Sequence, residues 1–346
     1  MGIFQSRNKF EVDGKTILIT GGSQGMGHAV AKLLAQKGAN VVIVARNVSK
    51  LQEAIQDITS AALHPSTQRF HYISADLTSP MDASRIISET TTWNNDRPPD
   101  TVWCIAGSAH PDLFLSMTPD RLRDQMNINY FSAAYVAHAT LSAWLKPSPS
   151  SISSSSALES ASPAPPRHLI LTSSVLAFYP IVGYTAYAPA KTALRSLSDT
   201  LRQELLLYSG ASQHPSTTSP LPEVRIHTVF PGGILSPGYE AENVSKPGVT
   251  KLIEEEDKPQ TADEVAARSV AGLERGEYLI VTSLLSVLLR ALAWGGSPRS
   301  SWVWDTLVAW VLSVVWAYVG WDLDRKVWKW GREKGRPVGH GGGKGE

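Results

Sequence analysis

The chain has 346 residues, 42% hydrophobic and 18% charged, enough apolar material for a full core and too much for a disordered tail protein or a fibre. Lys and Arg total 32 against 31 for Asp and Glu, and a net charge of +1 argues against nucleic acid as a partner. The single cysteine, Cys104, can form neither an internal disulfide nor a thiolate zinc cage, and the nine histidines show no paired ligand spacing, so no metal is expected.

Residues 1–13 read as an N-terminal extension with scattered charges and no signal-like apolar stretch, which points to synthesis in the cytosol. From Thr16 onward, short apolar runs alternate with helix-length segments. The runs at 16–20, 41–44, 70–73, 101–105, 168–171, 224–229 and 278–281 predict seven strands. Segments near 25–37, 49–61, 81–93, 119–145, 186–208 and 261–275 predict the helices. This alternation predicts one α/β domain over 14–282, a Rossmann-like doubly wound sheet of seven parallel strands. Two Ser- and Pro-rich stretches, 147–166 and 209–222, read as disordered loops on the sheet edge away from the strand C-termini.

The first strand runs directly into Thr20-Gly21-Gly22-Ser23-Gln24-Gly25-Met26-Gly27 and then a helix. A strand, a glycine turn and a helix start make a phosphate cradle. Gly21 permits the tight turn, Gly25 lets the backbone approach a pyrophosphate, and Gly27 lets helix pack on strand; Ser23 and Gln24 complete the loop. At the end of strand two, where an NAD enzyme would carry an acid for the ribose 2′-hydroxyl, stands Arg46. A guanidinium fork suits a 2′-phosphate, which favours NADPH over NADH. Asp76 after strand three is placed for the adenine, Ala106 and Gly107 follow strand four, and Pro231 and Gly232 follow strand six in the same crevice.

Ser174 after strand five and Tyr187-Ala-Pro-Ala-Lys191 carry the chemistry. Four residues apart on a helix, Tyr187 and Lys191 share one face, and Pro189 fits a first turn. A tyrosine with a pKa of about 10 is a poor acid at neutral pH, and an adjacent ammonium is expected to lower it. Ser174 is placed to hydrogen-bond and polarise a substrate carbonyl.

Together these residues resemble the short-chain dehydrogenase/reductase family, whose TGxxxGxG, serine and YxxxK motifs match Thr20 to Gly27, Ser174, and Tyr187 with Lys191. The resemblance covers roughly residues 14 to 282. It implies that Asn129 on the fourth helix completes a proton relay and that Lys191 also holds the nicotinamide ribose. The family's Asn-Asn-Ala-Gly is replaced here by Cys104-Ile105-Ala106-Gly107, and Gln24 stands where many NADP-using members have a basic residue. Beyond strand six, the run Pro237-Gly-Tyr-Glu-Ala-Glu-Asn-Val-Ser-Lys-Pro247 looks like the lid of 3-ketodihydrosphingosine reductases. That likeness implies reduction of 3-dehydrosphinganine to sphinganine with NADPH, and a long-chain lipid keto-amine as substrate. A hydroxysteroid- or retinoid-type dehydrogenase of the same family is the alternative. A non-catalytic NADPH-binding scaffold would have no need of Ser174, Tyr187, Lys191 and Asn129.

Eight of the 11 tryptophans lie from Trp294 onward, and residues 283–330 read as a membrane-associated segment. Residues 302–321 contain one charge, Asp305, and are just long enough to span a bilayer core, with Trp302, Trp304, Trp321, Trp328 and Trp330 at the interfaces. The basic, Gly-rich tail 331–346 favours the cytosolic side. If the catalytic domain faces the cytosol too, 283–294 makes a second, re-entrant or interfacial passage, or the whole end is monotopic. An endoplasmic reticulum membrane location, catalytic domain facing the cytosol, is expected; homo-oligomer formation is left open.

Overall fold

All seven apolar runs become strands in the computed structural model, which describes residues 8–145, 165–179, 181–215, 217, 221–255 and 257–291, with isolated positions between 303 and 333. They are β1 (Thr16–Thr20), β2 (Asn40–Ala45), β3 (Phe70–Ser74), β4 (Thr101–Cys104), β5 (Arg167–Thr172), β6 (Val224–Phe230) and β9 (Leu279–Val281). Their order across the sheet is β3-β2-β1-β4-β5-β6-β9. Pairings of β1 with β2 and β4, β2 with β3, β4 with β5, and β6 with β9 are parallel. Every residue of β1 is buried, and so are the four central residues of β2, because helices cover both faces of such a sheet. The order reverses between β1 and β4, which opens a crevice at the strand C-termini there.

The crossover helices are α1 (Gly25–Ala35), α2 (Val48–Ser60), α3 (Pro80–Trp93), α4 (Pro119–Met126), α5 (Ser132–Leu145), α6 (Tyr187–Ala211) and α9 (Ala262–Arg275). Local chemistry sets their ends. Asn47, Ser79 and Thr118 accept main-chain N–H bonds as caps of α2, α3 and α4, the last two followed by proline. A reciprocal Thr261–Glu264 capping box starts α9, and left-handed Gly276 ends it. One π turn, Asn127–Phe131, joins α4 to α5, so the single helix expected over 119–145 is interrupted where Asn129 sits.

Between β6 and α9 the sequence suggested only a lid, and the structure builds one from β7 (Ile234–Leu235), α7 (Pro237–Ser245), α8 (Gly248–Ile253) and β8 (Gln260–Thr261). β7 and β8 pair in parallel and fasten the two ends of the lid together. The expected loop 209–222 is corrected at its start: α6 continues to Ala211, with turns to residue 215. Most of 147–166 lies outside the described residues.

The chain divides into two compact units, one of residues 1–143, 168–198 and 226–296, the other of 144–167, 199–225 and 297–346. The first holds the glycine loop, the lid and α10 (Leu284–Ala291), which falls in the segment expected to touch a membrane. In the second, the Arg167 guanidinium lies 5.5 Å from the Trp144 ring centre. Most of 302–321 lies outside the described residues, and among the described residues no helix is long and apolar enough to cross a membrane.

Candidate active site

At the end of β1 the chain must reverse within a few residues to start α1, and Gly21 does so with φ +71, in the left-handed region. Its N–H donates to the Val44 carbonyl at 2.8 Å, and a Cβ there would lie 2.9 Å from Ala106 N. A side chain on Gly27 would collide with the Gly21 carbonyl. Thr20 ties the loop to the neighbouring strand end, its Oγ1 accepting from Ile105 N at 3.0 Å and Ala106 N at 3.2 Å. Gln24, the N-cap of α1, makes no side-chain capping bond, which leaves the first-turn N–H groups available to an anion. The cradle fits a pyrophosphate.

At the end of β2, Arg46 is exposed on the crevice, as expected for a 2′-phosphate ligand. Sequence reading missed a second cation beside it. Lys50, in the first turn of α2, donates to Gln24 Oε1 at 2.9 Å and lines the same cavity. Gln24 thus holds the Lys50 ammonium at the glycine loop. The only signal was spacing, Lys50 being four residues after Arg46. Asp76 also lines the cavity, its Oδ1 accepting from Thr78 N and Oγ1 at 3.1 and 2.8 Å.

The expected acid–base residues come together around the ends of β5 and α6. Tyr187 is the first residue of α6, and Lys191 Nζ lies 5.5 Å from its ring centre. Lys191 is buried, donates to the Thr172 carbonyl at 3.0 Å, and is brought down to about 8 by burial. Ser173 turns away, its hydroxyl donating to the Lys191 carbonyl at 2.7 Å, while Ser174 Oγ accepts from Leu176 N at 3.2 Å and hydrogen-bonds the Tyr187 phenol. The expected depression of the Tyr187 pKa by Lys191 is overturned. Desolvation raises the phenol above its ordinary value, the Glu242 carboxylate raises it further, and only the Ser174 hydrogen bond acts the other way.

Asn129 is fully buried in the π turn. Its amide is engaged by Ser108 and Gln125: Oδ1 accepts from Ser108 N at 3.1 Å, and Nδ2 donates to the Ser108 and Gln125 carbonyls at 2.8 and 3.0 Å. A side chain on Gly107 would meet Asn129 Oδ1 at 2.8 Å and Lys191 Nζ at 3.1 Å. Asn129 therefore braces the segment after β4 against the lysine, and no hydrogen bond from its side chain to Lys191 is found among the described residues.

The lid adds residues that sequence reading did not assign. Tyr184 donates a short hydrogen bond to Glu242 Oε1. Lys246, its side chain only 2% exposed, lies 2.6 Å from Glu254 and 3.3 Å from Glu242, with its Nζ 4.8 Å from the Tyr239 ring centre. The Tyr-x-x-Glu-x-x-x-Lys spacing of 239–246 thus brings a ring and a carboxylate of α7 to the ammonium of its C-cap residue.

One cavity of about 780 Å³ is lined by the glycine loop, Arg46, Lys50 and Asp76, Ala106 and Gly107, Ser174, Tyr187 and Lys191, Pro231 and Gly232, and the lid. Every residue expected at the cofactor or the reaction lines it except Asn129, which stands behind Gly107. A loop that cradles pyrophosphate, cations for a phosphate, and a serine, tyrosine and lysine on a single cavity define a dinucleotide-dependent oxidoreductase site.

Residues 15–245 match the short chain dehydrogenase family, and the chain belongs to it. The 3-ketodihydrosphingosine reductase ksrA of Aspergillus fumigatus is 50% identical over 95% of this chain and 88% of its own length. The 3-ketodihydrosphingosine reductase gsl-3 of Neurospora crassa is 42% identical over 98% of this chain and 89% of its own. Among solved structures, an alcohol dehydrogenase of the archaeon Thermococcus sibiricus complexed with 5-hydroxy-NADP has the same fold, with a TM-score of 0.58 and 19% identity over 78% of this chain and 96% of that one.

Proposed function

We propose that the chain is an NADPH-dependent reductase that converts 3-ketodihydrosphingosine to sphinganine, at the endoplasmic reticulum membrane with its catalytic domain facing the cytosol. The observation that carries the chemistry is the convergence of Ser174, Tyr187 and Lys191 on the cavity that the glycine loop also lines. The names of the Aspergillus and Neurospora relatives support the substrate. Gly21, Gly25 and Gly27, with Arg46 and Lys50, would hold the pyrophosphate and 2′-phosphate of NADPH, which supplies a hydride when bound.

Ser174 holds the ketone oxygen by a hydrogen bond. Tyr187 Oη transfers its proton to that oxygen as the carbonyl carbon becomes a secondary alcohol, leaving a phenolate beside the Lys191 ammonium. Lys191 stabilises that phenolate more than it stabilises the phenol, so it acts on the transition state although the resting phenol is raised. Asn129 keeps Gly107 and Ser108 in place behind the lysine.

The membrane reading rests on the C-terminal positions. Val303, Leu307, Trp310, Val311, Val314, Tyr318 and Trp321 are helical and exposed. A lipid surface is the environment in which such exposure is favourable.

The direct test is NADPH consumption by detergent-solubilised protein on 3-ketodihydrosphingosine, a ketosteroid and retinal. Turnover of the first alone is expected. Tyr187→Phe should lower kcat about 10²- to 10⁴-fold while NADPH still binds. Near-normal turnover in that variant would remove the mechanism.

A further inference from the structure

Tyr184 and Tyr187 are one turn apart where α6 begins, with ring centres 6.0 Å apart. The Tyr184 hydroxyl ends on Glu242, so a carboxylate stands one tyrosine away from the proton donor, on the wall of the same cavity. The charges around it do not balance. Lys246 supplies one ammonium to two carboxylates, Glu242 and Glu254, whose side chains are only 16% and 14% exposed. Asp257, at the exposed rim, adds a third carboxylate that feels both Glu254 and Lys246, and Lys258 is exposed beside it. Lys191 is committed to the Thr172 carbonyl. Of the two carboxylates, Glu254 is the closer partner of Lys246; both act on Tyr184, and Glu242 alone acts on Tyr187 as well. Among the described residues, Tyr184 and Lys246 both meet Glu242 at Oε1, and Glu242 lines the cavity.

We propose that Glu242 is a specificity-determining residue of this site: its carboxylate receives the ammonium that a 2-amino-3-ketone carries on the carbon next to the reacting carbonyl. The inference rests on the reading of the substrate as 3-ketodihydrosphingosine. A half-buried carboxylate with an incomplete counter-charge favours a cationic ligand, gains nothing from a neutral ketone and repels an acid. The ammonium lies two bonds from the reacting carbon, so anchoring it at Glu242 fixes the carbonyl relative to Ser174 and Tyr187. Glu242 also holds the Tyr187 phenol up, and a bound ammonium cancels that effect. The amine is then both the mark by which the substrate is chosen and a charge that removes the second of the two causes, after burial, that hold the proton donor up.

The test uses the full chain in detergent with NADPH and two ketones of equal chain length, 3-ketodihydrosphingosine and its analogue lacking only the amino group. The wild type should prefer the amine by about tenfold or more in kcat/KM, and Glu242→Gln, which keeps an acceptor for Tyr184, should bring the ratio towards one. Glu254→Gln should change the ratio less. A wild-type ratio near one overturns the proposal without any variant, so the result stands even if Glu242→Gln does not fold. A ratio that persists in a folded Glu242→Gln protein also overturns it. If neither ketone is reduced by the wild type, the substrate reading fails, and this inference with it.

Discussion

Lys191 shows how a catalytic side chain can work against the stability of its own fold. Burial lowers its ammonium from 10.5 to about 8. Between those values the unfolded chain binds a proton that the folded chain does not, so the penalty is full below pH 8 and fades as the pH rises towards 10.5. Lys191→Met should therefore be more stable than the wild type at pH 7, by up to about 3 kcal/mol, with the gap closing near pH 10.5. Denaturant unfolding at both pH values measures it, and a variant less stable at pH 7 would show that the Thr172 hydrogen bond outweighs desolvation. Activity should be lost in the same protein. The i,i+4 spacing did reveal that Tyr187 and Lys191 are neighbours. It could not reveal that both are desolvated, and the direction of the tyrosine shift was missed for that reason. Glu242 was out of reach of any spacing argument, being 58 residues from the Tyr184 it binds.

Individual elements were legible where their signals were local. All seven strands and the helices α1, α2, α3, α6 and α9 follow apolar periodicity and caps to within a few residues, because burial on both faces of a parallel sheet leaves a continuous apolar run. The lid was not legible as structure: β7 and β8 have two residues each, and α7 and α8 start in Pro- and Gly-containing turns, too short for a period to register. At the start of α2, Arg46 and the helix residue Lys50 flank one end of the cavity. Two cations and a helix N-terminus favour a phosphate over a hydroxyl. Lys50→Ala should weaken NADPH binding about tenfold and leave NADH nearly unchanged, and Arg46→Asp with Lys50→Ala should invert the preference. Equilibrium titration of cofactor fluorescence reads both, and an unchanged ratio would return these side chains to the solvated surface.

At the scale of the whole molecule, the parallel sheet and the C-terminal segment have separate tasks in the function proposed here. A long-chain ketone partitions into a bilayer, since each buried methylene is worth about 0.8 kcal/mol, and its transfer through water to a distant site is unfavourable. Truncation after residue 296 should leave NADPH binding intact and reduce turnover of bilayer-presented ketone far more than turnover of a short, soluble analogue. Vesicle and solution assays of the same preparation make the comparison. Equal losses would mean that the removed segment supports the fold.

Gly25 begins α1, and the nearest atom to a Cβ placed there belongs to Ser236, at 3.3 Å. Ser236 is the cap of α7, the helix that carries Tyr239 and Glu242. The glycine turn proposed for the pyrophosphate thus lies close to the cap of the lid helix, and occupation of the first is expected to order the second. In kinetic language, the expected outcome is a sequential, ordered reaction, the reduced dinucleotide entering first and the oxidised one leaving last. If the cofactor orders the lid in this way, reciprocity requires each ligand to raise the affinity of the other by the same factor. An inert alcohol analogue should therefore bind more tightly to cofactor-loaded protein than to the free chain, and NADP⁺ should inhibit competitively against NADPH alone.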